Sequence, residues 1–129
     1  MSDLSKKAQE IRKLVLKTPE ERASEKADEV FDWILSYFEK SLNIVLSEKS
    51  ITFSCSKFRE KIYIGDDRHY YSNYDYEYDD ISLEPVTSEI SVDDFLDILK
   101  ERIEHEEGFK CKLEDTDDPE EKDITVTIE

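Results

Sequence analysis

The chain has 129 residues, of which 40% are charged, 37% apolar and 11% aromatic, and its formal net charge at pH 7 is −16. That length suits one ordinary domain spanning 1–129, and the apolar residues are periodic, which argues against disorder over most of the chain. No apolar run nears the ~20 residues of a membrane span, the first residues lack the apolar segment of a signal peptide, and Cys55 and Cys111 are too few for a disulfide framework, so a cytoplasmic protein is expected.

A first helix is expected over about residues 2–17, where Leu4, Ala8, Ile11 and Val15 recur at helical spacing and Lys6, Lys7, Lys13 and Lys17 lie largely on other faces. Thr18-Pro19-Glu20-Glu21 then restarts the helix. Threonine at the N-cap, proline at the first helical position and glutamate two residues on form a capping box. This second helix should run over about 19–42, with Ala23, Ala27, Val30, Phe31, Ile34, Leu35, Phe38 and Leu42 on its apolar stripe. Trp33 and Tyr37 widen the stripe, which predicts a helix between a sheet on one side and the first helix on the other. The alternative is that Trp33 and Tyr37 form an oligomer contact.

The period then changes to two. Ile44-Val45-Leu46 is either the helix end or a strand of its own, and a strand is expected; Ile51, Phe53 and Cys55 follow on one face, then Ile62 and Ile64, with turns near Glu48-Lys49 and Arg59-Glu60. Residues 65–85 form a Tyr/Asp-rich loop or extended segment in which Tyr74, Tyr76 and Tyr78 alternate with Asp75, Glu77 and Asp79. If extended, it sets tyrosines on one side and carboxylates on the other, and tyrosine is favoured at interfaces. A third helix is marked over about 91–107 by Ser91 and Asp94 at its start, an Ile90–Phe95 staple and Gly108 beyond its end. Val92, Phe95, Leu96, Leu99 and Ile103 face inward. A hairpin follows, with Phe109, Cys111 and Leu113 on one arm, Ile124, Val126 and Ile128 on the other, and an acidic tip from Glu114 to Glu121 that includes Asp115, Asp117 and Asp118. The expected class is α+β, three helices packed on an antiparallel sheet of four to six strands.

Little in this chain supports catalysis. Two glycines leave no Gly-rich phosphate loop, and no Gly-x-Ser-x-Gly elbow occurs. The only histidines are His69 and His105, and His105 with Glu101 makes two ligands without a third. The acidic runs fail the EF-hand pattern because Asp80 and Pro119 stand where the loop needs other residues. Cys55 and Cys111 lie on the apolar sides of strands, as buried inert thiols do. Glu120-x-Lys122 has the spacing of a nuclease motif, but it sits in a polar turn without a supporting strand acid. No catalytic residue, metal or cofactor is expected.

Charge is the sharper signal. Residues 1–64 hold 11 acids and 12 bases, a net of +1, whereas residues 65–129 hold 23 acids and 6 bases, a net of −17. Such a field repels nucleic acid and membranes and attracts basic protein surfaces. On the third helix Asp93, Asp97, Glu101 and Glu104 recur on the side away from the core, with Asp94 beside them, giving a row of negative groups on a rigid rod. Duplex DNA is also a regular negative rod. The expected partner is therefore a basic, nucleic-acid-binding protein, contacted through this row, the 74–79 segment and Asp115, Asp117 and Asp118. In size and charge the chain resembles the small acidic proteins by which bacteriophages block restriction or CRISPR nucleases, a resemblance of general character that no motif carries. The alternative is a structural or assembly adaptor, such as a virion accessory or a homo-oligomer, with Trp33 and the tyrosines as its interface.

Overall fold

The computed structural model describes residues 3–64 and 80–129. Its elements in chain order are α1 (Asp3–Leu16), α2 (Pro19–Lys40), α3 (Leu42–Glu48), β1 (Ser50–Ser56), β2 (Lys61–Tyr63), β3 (Asp80–Ser82), a 3-10 turn (Val86–Ser88), α4 (Val92–His105), β4 (Phe109–Asp115) and β5 (Glu121–Ile128). The five strands form one antiparallel sheet in the order β3-β2-β1-β5-β4. Helices and sheet share one core, so the α+β class stands.

The alternation read from the strands explains which face is covered. Phe53 pairs with Ile124, Ile51 with Val126, Cys111 with Val126 and Ile62 with Cys55. Phe53, Cys55, Ile62, Cys111, Ile124 and Val126 are all buried. They pack against the stripe of α2, led by Val30, Phe31, Ile34 and Phe38, and against Phe95, Leu96, Leu99 and Ile103 of α4. On the opposite face Thr52 and Thr125 share a hydrogen bond of 2.9 Å, in keeping with its polar residues. The α2 start is built as its capping box implies, with Thr18 Oγ1 accepting from the Glu21 amide and Pro19 in the first turn. Ser91 Oγ caps α4 by accepting from the Asp94 amide. Gly108 has φ +87°, a left-handed conformation that costs glycine little and turns the chain from α4 into β4.

Two expectations need correction. Residues 44–46 are not a strand but part of α3, a second helical segment that leaves α2 at Ser41. Helical bonds run from the Val45 amide to the Ser41 carbonyl and from the Lys49 amide to the Val45 carbonyl, and Lys49 at φ 60° ends the run. Three apolar residues in a row fit either period, so local pattern alone does not decide such a stretch. Second, α1 does not cover α2. None of its residues is buried, and Leu4, Ile11, Val15 and Leu16 are all more than half exposed. The flank of α2 assigned to α1 is occupied from within the sheet layer instead: the Trp33 and Tyr37 rings lie 5.5 and 6.0 Å from the Phe53 ring. Of the Tyr/Asp-rich 65–85 segment, residues 80–82 form the edge strand β3.

What α1 does have is a fixed root. The Arg22 guanidinium donates to both carboxylate oxygens of Glu89, at 2.9 and 2.6 Å, and through Nη1 to the carbonyls of Leu14 and Lys17. It satisfies carbonyls at the end of α1 while tying that end to the loop before α4. Lys17 adds an ion pair with Glu25.

The two apolar sets should separate cleanly in denaturation. Phe53→Ala removes a fully buried ring and should cost about 3–5 kcal/mol, whereas Ile11→Ala should change stability by less than about 0.5 kcal/mol. Urea unfolding followed by the fluorescence of Trp33, the sole tryptophan, measures both. Equal losses would mean that α1 belongs to the core.

Candidate functional site

The acidic face begins with helix geometry. At 100° per residue, Asp93, Asp94, Asp97, Glu101 and Glu104 fall within about 100° of arc on α4. All five are exposed, while Val92, Phe95, Leu96, Leu99 and Ile103 on the other side are buried. The row is therefore a surface imposed by the core beneath it.

Tertiary structure adds the hairpin tip to one end of this row. Because α4 turns at Gly108 straight into β4, the strand runs back along the helix and β4 ends near the start of α4. Lys122 opposes Cys55 and Asp115 in the sheet register, which places it on the face that carries the helices. Its ammonium lies 3.5 Å from Asp93 and 3.8 Å from Asp115. Lys57, in the turn after β1, reaches Asp93 at 3.2 Å. Asp115, Asp117 and Asp118 are exposed at this end, and the tip is ordered by Thr116, which accepts from the Asp118 amide, and by Asp118 Oδ1, which accepts from the Glu120 amide. The tip proper is shorter than expected, because Glu114, Asp115 and Glu121 belong to strands.

The acids of the row do unequal work. Asp93 is a structural anchor. Partial burial raises its carboxyl, but the hydrogen bonds and charges of Lys57 and Lys122 outweigh that and hold it below the ordinary value of 3.8. Glu104 Oε2 accepts from the Cys111 amide at 3.4 Å, covering a donor on the edge strand β4. Asp94, Asp97 and Glu101 take part in no salt bridge among the described residues. Those three carry the outward charge. Tyr74, Asp75, Tyr76, Glu77, Tyr78 and Asp79, expected from the sequence to contact the partner, lie outside the described residues.

Three features of the surface had no sequence signal that spacing could expose. The neutralisation of Asp93 depends on two lysines, 36 and 29 positions away in the chain. Arg102 on α4 donates to Asp28 on α2 at 2.6 Å and to Glu106 at 3.3 Å, a bridge between helices. On the polar face of the sheet Tyr63 Oη donates to Glu121 Oε1 at 2.6 Å. Burial, then that hydrogen bond and the Glu121 charge, raises the Tyr63 hydroxyl, and burial with Glu114 and Glu121 nearby raises the Asp123 carboxyl.

Among the described residues no cluster of three His, Cys, Asp or Glu side chains could hold a metal ion. Cys55 and Cys111 are free and buried, and burial pushes both thiols up to about 12. No described helix is long and apolar enough to cross a membrane. The chain matches no protein-family model, no curated protein and no solved structure.

Two measurements check this reading. Neither thiol should react with a disulfide reagent at pH 8 in the folded protein, and both should react after unfolding; fast native labelling would contradict their burial. For Asp93, a lowered folded value means that its ionised form is favoured by folding. Its contribution is complete above pH ~3.8, the ordinary value, and is lost as pH falls through the lower folded value. The stability gap between wild type and Asp93→Asn should thus be constant from pH 7 to about 5 and close in strong acid. A gap that widens on acidification would reverse the assignment.

Proposed function

We propose that this protein is a non-enzymatic inhibitor that binds a basic protein surface in place of nucleic acid, through the α4 row and the adjoining hairpin tip. The observation that supports this most is the uncompensated row itself: Asp94, Asp97 and Glu101 point outward without counter-ions among the described residues, and the exposed Asp117 and Asp118 lie beyond the Asp93 junction that Lys57 and Lys122 neutralise. Carboxylates at i, i+3 and i+4 spacing rise about 4.5–6 Å per step along a rigid axis. A groove built from Lys and Arg to hold phosphates accepts such a row by the same electrostatics. Fixing the row on a helix that is buried along its other side limits the ordering cost of binding. The buried, poorly nucleophilic thiols fit a role without covalent chemistry.

The reading is tested by charge reversal at positions that do not hold the fold together. Asp94→Lys, Asp97→Lys and Glu101→Lys together should leave the unfolding midpoint within a few degrees of wild type, because none of the three is buried or paired. Immobilised wild-type protein should retain Lys/Arg-rich nucleic-acid-binding proteins from a host extract, and added duplex DNA should displace them. Binding should fall steeply with salt, and the triple variant should lose at least about tenfold in affinity, ~1.4 kcal/mol. Retention that is indifferent to salt, DNA and the triple reversal would overturn the proposal.

A further inference from the structure

α1 is an amphipathic helix without a covering surface among the described residues of its own chain. Leu4, Ala8, Ile11 and Val15 line up at i, i+4, i+7 and i+11, and Leu4 and Val15 are 77% and 69% exposed. On a helical wheel Lys7 and Arg12 border this stripe on its two sides, within about 80° of its centre. The helix is nonetheless held at a set attitude by the Arg22 clamp on its last carbonyls and by the Lys17–Glu25 pair. The chain thus presents an apolar, basic-edged rod projecting from an acidic body.

The body carries a surface of the opposite character. Between α2 and α4 runs an open groove of about 670 Å³, floored by Ala27 and Ile98 and bordered by Asp28, Glu101 and Glu104. Asp28 is paired with Arg102, which leaves Glu101 and Glu104 as its acidic edge. No residue of α1 lines this groove. On α4 the groove runs from Ile98 to His105, about 11 Å, which matches about two turns of a helix such as α1.

We infer that α1 of one copy seats in the α2–α4 groove of a second copy, with the Ile11–Val15 stripe over Ile98 and with Lys7 and Arg12 against Glu101 and Glu104. The exchange is reciprocal, so two copies close on each other around a two-fold axis and both apolar stripes are covered. Charge favours this occupant over an anionic membrane. α1 would be drawn to such a surface, but the −17 second half of the same chain would be repelled by it. Direct α1–α1 pairing would bring like charges together, because residues 3–17 hold five bases against two acids. Docking on the acidic groove relieves both conflicts.

Sedimentation of the full chain at rising concentration tests the arrangement. Wild type should form a dimer at high micromolar concentration. Ile11→Asp should reduce dimer affinity by tenfold or more without moving the unfolding midpoint, since Ile11 is exposed. Lys7→Glu with Arg12→Glu, and separately Glu101→Lys with Glu104→Lys, should each be monomeric alone. Mixed together they should form a heterodimer, because each arm then meets a groove of opposite charge. A monomer at every concentration overturns the inference, as does a dimer indifferent to Ile11→Asp or the absence of rescue in the mixture. So does flotation of the monomer with phosphatidylserine vesicles that is abolished by Ile11→Asp, which would assign α1 to a lipid surface. Glu101 belongs both to this groove and to the proposed partner surface. Ile11→Asp and Asp94→Lys with Asp97→Lys, at positions that only one of the two readings uses, therefore separate a failure of the dimer from a failure of that surface.

Discussion

The antiparallel pairing of β1 with β5 is the contact on which the rest of the molecule depends. It joins residues 50–56 to residues 121–127 over seven registered pairs, and so binds the nearly neutral half of the chain to the strongly acidic half. Phe53 opposite Ile124 sits beneath α2, and from that row the sheet extends outward to β2 and β3 on one side and β4 on the other. A shift of one residue would turn Phe53, Ile124 and Val126 to the polar face and expose the core. The hydrophobic pattern forbids that slip.

Once this register is set, the charge has few places to go. One face of the sheet is taken by α2 and α4, and α4 must bury Val92, Phe95, Leu96, Leu99 and Ile103 against them. Its acids are then forced to the opposite side of the helix, and the following strand returns its acidic end to the start of α4. Acid clustering opposes folding through like-charge repulsion. Two lysines on the helix-facing side of the sheet, Lys57 and Lys122, offset it where the row meets the tip, and Arg102 offsets it between α2 and α4. Farther along α4 the charge is left standing. A solvated face needs only a few net charges for solubility, so an uncompensated row beside compensated ones favours a role in contact.

The same packing leaves α1 outside. α2 has its two flanks occupied, by α4 on one side and by Phe53 beneath Trp33 and Tyr37 on the other, so a third apolar neighbour finds no open surface there. Arg22 nevertheless spends a bidentate bond to Glu89 and two carbonyl bonds on the root of α1. α1 thus combines a stripe exposed among the described residues with an anchored end.

Much of the fold was legible in the residues themselves. Thr18-Pro19-x-Glu21 and Ser91-x-x-Asp94 are local hydrogen-bonding devices, and Gly108 is a local backbone requirement, so each acts through neighbours in sequence. The inward faces of α2, α4 and the long strands follow from period alone, because burial is decided by which residues share a face. Three things were decided only by tertiary structure. Residues 44–46 became helix because α2's end at Ser41 could be continued by further helical bonds, which no run of three apolar residues can reveal. Asp93 became an anchor and Asp94, Asp97 and Glu101 did not, because Lys57 and Lys122 arrive from distant strands. Among the described residues α1 stayed uncovered, because Trp33 and Tyr37, the residues expected to receive it, pack on Phe53 instead. Periodicity tells a helix which side is apolar; whether a surface is free to receive that side depends on every other element that competes for it.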